Sequence, residues 1–173
     1  MIEHRLIERM INRMRMEADR IVAGGAVDPH FIEVGADFIR NYADACHHGK
    51  EEKILFRDLE KKNLSPEHKK VMDELIQEHI WGRQTTGKLV AAKDAYVSGN
   101  KEAIDTIVTC MSDLAEFYPK HIIKEDKYFF KPVMKYFTRD EIDAMLEEED
   151  EFDRNFIHHL YTGIVERWEK KGV

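Results

Sequence analysis

The sequence predicts an all-α protein, an up-down-up-down four-helix bundle followed by an additional C-terminal helix. Apolar residues recur at spacings of three and four along most of the 173 residues, which is the period of an amphipathic helix. No alternating run of β-branched residues is long enough to predict a strand. The connections between the first four predicted helices are short, so consecutive helices should be antiparallel neighbours.

The first two predicted helices are separated by a glycine pair. The apolar stripe of the first helix contains His4, Ile7, Ile11, Met14, Ala18 and Ile21. This helix ends near Val22, before the glycines at 24–25. Asp28 and Pro29 form an N-cap and first-turn pair that opens a second helix, which extends to about Lys62. Its inner face contains Ile32, Ala36, Ile39, Ala43, His47, Glu51 and Ile54.

The third and fourth helices follow the same pattern. Ser65 and Pro66 repeat the start signal, and the third helix ends near Val97. Its stripe contains Met72, Leu75, His79, Thr86 and Leu89. Asn100 is the predicted N-cap of the fourth helix. The stripe of this helix is the most regular in the chain and contains Ile104, Ile107, Met111, Leu114, Tyr118, His121, Glu125 and Tyr128.

A fifth helix is predicted at about 139–171. Thr138 and Glu141 have the spacing of a capping box. The apolar face of this helix contains Ile142, Met145, Phe152, Phe156 and Leu160. The acidic run at 147–151 should mostly face water. We therefore predict a single domain over residues 1–173, with the core bundle at about 1–135.

Composition limits the partners and the compartment. Lys and Arg number 27 and Asp and Glu number 34, and the formal charge of −7 argues against non-specific binding to nucleic acid. No apolar stretch approaches the roughly 20 residues of a membrane span, and the N-terminus lacks the apolar segment of a secretory signal. We expect a cytoplasmic protein with no nucleic-acid or membrane partner. Cys46 and Cys110 should not form a disulfide, because Cys110 lies about 16 Å along the bundle from the level of Cys46.

Four histidines, one from each of the first four helices, are predicted to lie at one level of the bundle. They are His4, His47, His79 and His121. Residue counts from each turn bring neighbouring histidines level to within one or two residues. Burying four unpaired imidazoles is unfavourable, whereas a divalent metal ion binds neutral imidazole nitrogens.

Two glutamates extend this layer. Glu51 and Glu125 follow His47 and His121 by four residues, which places each pair on one helix face. Carboxylates inside a bundle need a cation, and a carboxylate can bridge two metal ions. The residues therefore predict a dinuclear site with open positions. Its six ligands are His4, His47, Glu51, His79, His121 and Glu125.

Other interpretations of the histidines were weighed. Zinc accepts the same ligands, but the sequence has no HExxH or CxxC motif. Ferritin-like di-iron proteins place a histidine three residues after a glutamate, a spacing that does not occur here. The pairs His4–Glu8 and His48–Glu52 also have i,i+4 spacing and are spare candidates for ligands, but we favour surface ion pairs with neighbouring Lys or Arg residues. The remaining histidines, expected to be structural or exposed, are His30, His68, His158 and His159.

Four ordered segments carry a resemblance to a known family. They are EHRLIERM at 3–10, HHGKEEKILF at 47–56, EHIWGR at 78–83 and HIIKEDKYFF at 121–130. Over roughly residues 1–135 the chain resembles the hemerythrin-like, HHE cation-binding proteins. The resemblance implies two non-haem iron ions, bridged by carboxylates and by an oxo or hydroxo group. It implies the same six ligands, with Glu51 and Glu125 as the bridges.

The resemblance also implies a function, which is to bind or react with O2, NO or peroxide in a stress-response or sensing role. An electron donor or a protein partner would then be needed. The alternative is an iron-sensing or structural-metal interaction protein without redox turnover.

Two positions distinguish this chain from oxygen-carrying hemerythrins. Carriers have a second histidine four residues after the first on helix three, where this chain has Arg83. We therefore expect two histidines per metal and an irreversible reaction with oxygen or peroxide. On helix four, Asp126 satisfies the HxxxxD spacing of carriers and Glu125 satisfies HxxxE. We favour Glu125 because it continues the apolar stripe.

Overall fold

The structure is a computed structural model that describes residues 2–170, with the side chains of all of them except 157, 159 and 161–170. It contains five helices in the described residues, and no strand occurs among them. Their bounds are α1 Ile2–Val22, α2 at 29–59, α3 Pro66–Val97, α4 at 103–133 and α5 Arg139–Lys170. The all-α prediction is confirmed. The alternating direction of the first four helices stays a prediction, and residue 171 lies outside the described residues.

Two helices widen where they approach the predicted metal layer. The α2 helix consists of α-helix at Pro29–Phe38, π-helix at Ile39–His48 and Glu51–Phe56, and a last turn at Arg57–Leu59. The α4 helix consists of α-helix at Ala103–Ile123, π-helix at Lys124–Phe129 and a last α-helical turn at Phe130–Val133. A 3₁₀ turn follows at Met134–Tyr136. A π-helix has i→i+5 hydrogen bonds and therefore a wider turn, and such turns are frequent at functional sites. The sequence pattern did not predict them.

The predicted start signals are present. The Asp28 carboxylate accepts hydrogen bonds from the backbone N–H groups of His30 and Phe31, and the Ser65 hydroxyl accepts one from His68. Thr138 and Glu141 form the reciprocal capping box. Each of these caps satisfies backbone donors that the first turn of a helix leaves unpaired.

Two helix ends differ slightly from the prediction. Asn100 accepts a hydrogen bond from the backbone of Glu102, but regular α4 begins only at Ala103. The α2 helix ends at Leu59, three residues before the predicted Lys62. Such differences are within the usual uncertainty of helix boundaries.

Two apolar clusters lie on either side of the histidine layer. The first cluster draws side chains from α1 to α4, such as Ile11, Leu89 and Met111. The second draws side chains mainly from α2, α3 and α4, such as Leu59 and Phe129. The α2, α3 and α4 helices each pass from one cluster to the other through their predicted ligands, so the polar layer is enclosed by apolar packing on both sides.

The α5 helix closes the end of the bundle that α1 does not reach. Because α1 begins at Ile2, beside His4, no described α1 residue belongs to the second cluster. The α5 residue Met145 is buried in that cluster instead, and Phe152 packs against it. A Cβ atom on Gly49 would lie 3.1 Å from the Phe152 ring, so glycine allows α5 to approach α2 closely. None of the described helices is both long and apolar enough to cross a membrane.

Candidate metal centre

The six predicted ligands converge between the first four helices, and none is more than 4 % exposed. They divide into two groups. In the first group, ligand atoms of His4, His47, Glu51 and Glu125 all lie within 4.8 Å of one another. In the second group, His79 and His121 lie within the same limit of His48, which is not one of the six predicted ligands.

The two glutamates each face both groups. Glu51 places Oε1 3.4 Å from His47 Nε2 and Oε2 3.4 Å from His79 Nε2. Glu125 places Oε2 3.3 Å from His4 Nε2 and Oε1 3.0 Å from His121 Nε2. Each carboxylate therefore directs one oxygen to each group, which is the arrangement of a carboxylate that bridges two metal ions.

The chemistry of the unpaired atoms fits metal ions. Seven buried side-chain atoms have no hydrogen-bond partner among the described residues. They are Nε2 of His48, His79 and His121, and both carboxylate oxygens of Glu51 and Glu125. Unsatisfied buried polar atoms are rare because each loses its hydration without compensation. Divalent cations with a preference for nitrogen and oxygen donors would satisfy all seven.

Burial and neighbouring charges shift the pKa values of the central groups. Burial and the repulsion of Glu125 raise the pKa of Glu51 to about 8. Burial and the neighbouring imidazoles hold the pKa of His48 well below its usual range. His48 is therefore neutral, the form in which imidazole binds a metal. Burial disfavours the cationic form of His121, but Glu125 and Glu78 outweigh burial and raise its pKa to about 10.

Every inner histidine is oriented by a carboxylate outside the centre. In each case Nδ1–H donates to the carboxylate. The distances are 3.0 Å from His4 to Asp126, 2.8 Å from His47 to Glu3 and 3.3 Å from His48 to Asp44. They are 2.7 Å from His79 to Glu52 and 2.8 Å from His121 to Glu78. Such a bond fixes the orientation of the ring, places Nε2 toward the centre and increases the basicity of the ligand.

Four of the five outer carboxylates link neighbouring helices, the exception being Asp44, and all five are paired with cations. Asp126 of α4 orients His4 of α1, and Glu3 of α1 orients His47 of α2. Glu52 of α2 orients His79 of α3, and Glu78 of α3 orients His121 of α4. The pairs with cations are Asp126 with Arg5, Glu3 with Lys50, both Asp44 and Glu52 with Arg83, and Glu78 with Lys124. The outer carboxylates are thus paired with Arg or Lys side chains, whereas no described Arg or Lys pairs with Glu51 or Glu125.

The structure separates the two carboxylates that the sequence left as alternatives on helix four. Glu125 is fully buried at the centre, whereas Asp126 is partly exposed and orients His4 from outside. They differ because adjacent residues on a helix point in different directions. His30 and His158 are exposed, and His68 donates to or accepts from the hydroxyl of Tyr136 at 2.7 Å. The side chain of His159 lies outside the described residues.

His48 is the residue whose position differs most from the favoured sequence interpretation, which kept it only as a spare candidate. It is only 2 % exposed, so the surface interpretation of His48 is wrong. Glu52 does pair with Arg83, and Glu8 pairs with Arg5, as a surface ion pair predicts. The expectation of two histidines per metal stays a prediction, and α2 places two imidazoles, those of His47 and His48, at the centre. The adjacent histidines at 47 and 48 were the available signal.

A third group of potential ligands, which contains Cys46, has a different explanation. The Cys46 thiol donates to Asp153 over 3.5 Å, and burial raises the pKa of the thiol to about 12. Lys50 donates to both Glu3 and Asp153 and so supplies the cation that these carboxylates need. Cys46 and Cys110 are both free thiols, which confirms the prediction of no disulfide between them.

A pocket of about 250 Å³ lies beside the first group of ligands, under α5. His47 and Glu51 contribute to its lining, together with apolar side chains such as Leu55, Phe130 and Ile142. A smaller recess of about 200 Å³ lies beside the second group and is lined by His48, Asp44, Arg83 and Tyr118, among others. The centre therefore has one mainly apolar approach and one approach beside charged side chains.

The order of histidines and glutamates along the chain is shared with known proteins. The sequence profile of the hemerythrin HHE cation-binding domain matches residues 1–131. The chain belongs to this family. All the predicted ligands of this hemerythrin-family chain lie inside the matched region, as does His48, whereas α5 lies outside it.

Three curated relatives are similar to nearly the whole chain. They are uncharacterized proteins, one from Mycobacterium bovis and two from strains of Mycobacterium tuberculosis. Each is 25 % identical over 168 residues, which is 96 % of this chain and 65 % of the relative. The chain thus spans about 65 % of the length of these relatives. No solved structure matches the chain closely enough to add to this comparison.

Proposed function

We propose that this hemerythrin-family protein binds two non-haem iron ions and uses them to bind or react with O2, NO or peroxide, in a cytoplasmic stress-response or sensing role. The observation that carries the proposal is the placement of Glu51 and Glu125, each with one oxygen toward either group of histidines. Two buried carboxylates in that arrangement provide bridges for a metal pair, and a single ion would leave one group unused.

The donor set favours iron over zinc. Every inward-facing donor is an imidazole nitrogen or a carboxylate oxygen. Structural zinc is usually tetrahedral and closed by four ligands, so one zinc ion would not use all these donors. Iron accepts imidazole and carboxylate ligands at higher coordination numbers. When bound, an iron pair supplies one- and two-electron redox chemistry and exchangeable positions for small ligands.

The residues around the centre prepare it for that chemistry. The outer carboxylates fix the orientation of the imidazole rings, so metal binding at the histidines needs little rearrangement. The two apolar clusters exclude water from the layer on both sides. The pocket beside His47 and Glu51 leaves one side accessible to a small molecule. An electron donor would have to bind the protein surface near this pocket.

Absorption spectroscopy tests the proposal. Iron-loaded protein should have near-ultraviolet charge-transfer bands that change when azide or peroxide is added, whereas zinc-loaded protein is colourless. The anaerobically reduced protein should change its spectrum on mixing with O2 or NO. Iron-loaded protein that is unaffected by azide, peroxide, O2 and NO would contradict the proposal.

A second candidate function is supported by the contact between α5 and the centre. Glu3 accepts hydrogen bonds from both His47 and Lys50, and Lys50 also donates to Asp153 of α5. Metal binding at His47 could therefore stabilise the position of α5, as an iron sensor or an interaction protein without redox turnover would require. Limited proteolysis with and without metal tests this alternative, which predicts metal-dependent protection of α5 and no change of the spectrum with O2.

A further inference from the structure

We propose that His48 is a seventh protein ligand, which moves the third histidine of one metal position from helix three to helix two. This inference rests on the proposed metal centre. In oxygen-carrying hemerythrins that histidine follows the first one on helix three by four residues, and Arg83 occupies this place here. The chain therefore keeps the number of histidines but takes one from a different helix.

The position of the His48 ring supports a ligand role. Its Nε2 atom is buried and has no hydrogen-bond partner among the described residues. The ring stacks on His79 with the ring centres 3.9 Å apart, and its centre lies 5.5 Å from that of His121. Ligand atoms of these three imidazoles lie within 4.8 Å of one another. A buried histidine with only a packing role would leave a polar nitrogen without compensation.

The π-helical turns of α2 explain how two adjacent histidines reach the centre. In a regular α-helix, adjacent side chains are about 100° apart, because a turn contains about 3.6 residues. His47 and His48 end the π-helical segment Ile39–His48, and Glu51 begins the next one. The wider turns let His47 and His48 take part in different groups while Glu51 lies between those groups.

Arg83 stands in place of the helix-three histidine and binds carboxylates that orient the ligands. Its Nε–H donates to Asp44 over 2.8 Å, and an NH2 group donates to Glu52 over 2.7 Å. These two carboxylates accept the Nδ1–H bonds of His48 and His79. Arg83 is thus a positioning residue that fixes the outer partners of two imidazoles, one on its own helix and one on α2.

The additional ligand makes the two metal positions unequal. One position has three imidazoles, His48, His79 and His121, and one oxygen from each bridging carboxylate. The other has two imidazoles, His4 and His47, and the remaining two oxygens. Five protein donors against four leave more room for an exogenous ligand at the second position. This position is the one beside the pocket under α5, which His47 and Glu51 line.

Cobalt(II) titration of the metal-free full-length protein tests the proposal, because cobalt binding is followed by absorption without any activity. The variants are His48→Ala, His48→Phe, which keeps a ring against His79, and Asp44→Asn. The matched control is His68→Ala, a partly buried histidine that contacts Tyr136 away from the centre. Circular dichroism of each metal-free variant checks that the helices remain.

Wild type and His68→Ala should each bind two equivalents of cobalt. The affinities of the variant should equal those of the wild type. His48→Ala and His48→Phe should lower the affinity for one of the two equivalents at least tenfold, and Asp44→Asn should have a smaller effect in the same direction. Unchanged cobalt binding in a helical His48→Phe or His48→Ala variant would overturn the seventh ligand but leave the proposed function intact. Failure of the wild type to bind two equivalents would overturn both.

Discussion

Arg83 Nε lies 2.8 Å from Asp44 Oδ1, and this ion pair joins the third helix to the carboxylate that orients His48. In the sequence, Arg83 occupies the position at which oxygen-carrying hemerythrins have a histidine ligand. In the structure it supports an imidazole on the neighbouring helix. The irreversible reaction with oxygen or peroxide and the two histidines per metal stay predictions, and a ligand role of His48, as proposed above, would give one metal position a third imidazole.

The first prediction concerns this ion pair. Arg83→Ala should leave Asp44 and Glu52 without their cation and loosen the orientation of His48 and His79. We expect metal loss to a chelator to become several-fold faster, because partners outside the ligands typically change metal affinity by about 10- to 100-fold. The free energy of unfolding of the metal-free protein should fall by only about 1 kcal/mol or less, since Arg83 is partly exposed.

Lys69→Ala is the control for Arg83→Ala, because Lys69 forms an exposed ion pair with Asp73 on the same helix, ten residues before His79. Stopped-flow chelation and thermal unfolding measure the two quantities. Equal rates of metal loss from both variants would show that Arg83 does not position the outer carboxylates.

Much of the fold follows from the sequence because its patterns are local. The 3-4 stripes, the Asp28 and Ser65 caps and the Thr138–Glu141 capping box each depend on residues close in the chain. The ligand layer could also be predicted, since short loops fix the level of one antiparallel helix against the next. The geometry agrees with that layer, while the identity of the bound metal stays a prediction.

The rest could not be predicted because it depends on contacts between helices. A period of 3.6 residues places His48 away from the inner face, and only the π-helical turns bring it inside. The carboxylates Glu3 and Glu78 each precede a predicted ligand in the chain, yet each orients a histidine of the next helix. Their partners are therefore visible only when the helices are assembled.

The second prediction concerns access to the centre. Ile142→Trp should fill the pocket under α5 and weaken azide binding by iron-loaded protein at least tenfold, because this pocket reaches His47 and Glu51. Iron content should not change. Ala144→Trp is the control, since Ala144 lies on the same helix but lines a different pocket. Equal azide affinity in both variants, measured by absorption titration, would place the access route elsewhere.

The third prediction concerns Glu51 in metal-free protein. Because burial and Glu125 raise its pKa to about 8, folded Glu51 keeps its proton where the unfolded chain has released it. Glu51 should therefore reduce stability progressively as the pH rises from about 4.5 to about 8. Glu51→Gln should raise the melting temperature of metal-free protein at pH 9 and lower metal affinity. A lower melting temperature of this metal-free variant at pH 9 would contradict the account.

The fourth prediction concerns metal removal from the native protein. Metal ions bind only the folded centre, and binding at about 1,000 times the dissociation constant stabilises a protein by about 4 kcal/mol. For a chain of this size, that corresponds to a decrease of roughly 10 °C in melting temperature when a chelator removes the metal. Differential scanning calorimetry measures it. Identical melting temperatures for the loaded and the metal-free protein would indicate that the donors do not bind metal in the native state.

The fifth prediction concerns the thiols. Cys46 and Cys110 are buried and free, and burial raises the pKa of both. Alkylation at pH 8 should therefore be slow in the native protein and should reach two thiols per chain after unfolding. Mass mapping of non-reduced protein should find no peptide that joins 46 to 110. Such a peptide would contradict the described positions of α2 and α4.

The most direct measurement of the central claim is the metal content of protein expressed with supplemented iron and purified anaerobically. A centre bridged by Glu51 and Glu125 predicts about two metal ions per chain, mostly iron, in the wild type and in the His30→Ala control. His47→Ala and His121→Ala should each hold less. One zinc ion per chain with negligible iron, or equal iron in His47→Ala and His30→Ala, would contradict the di-iron account.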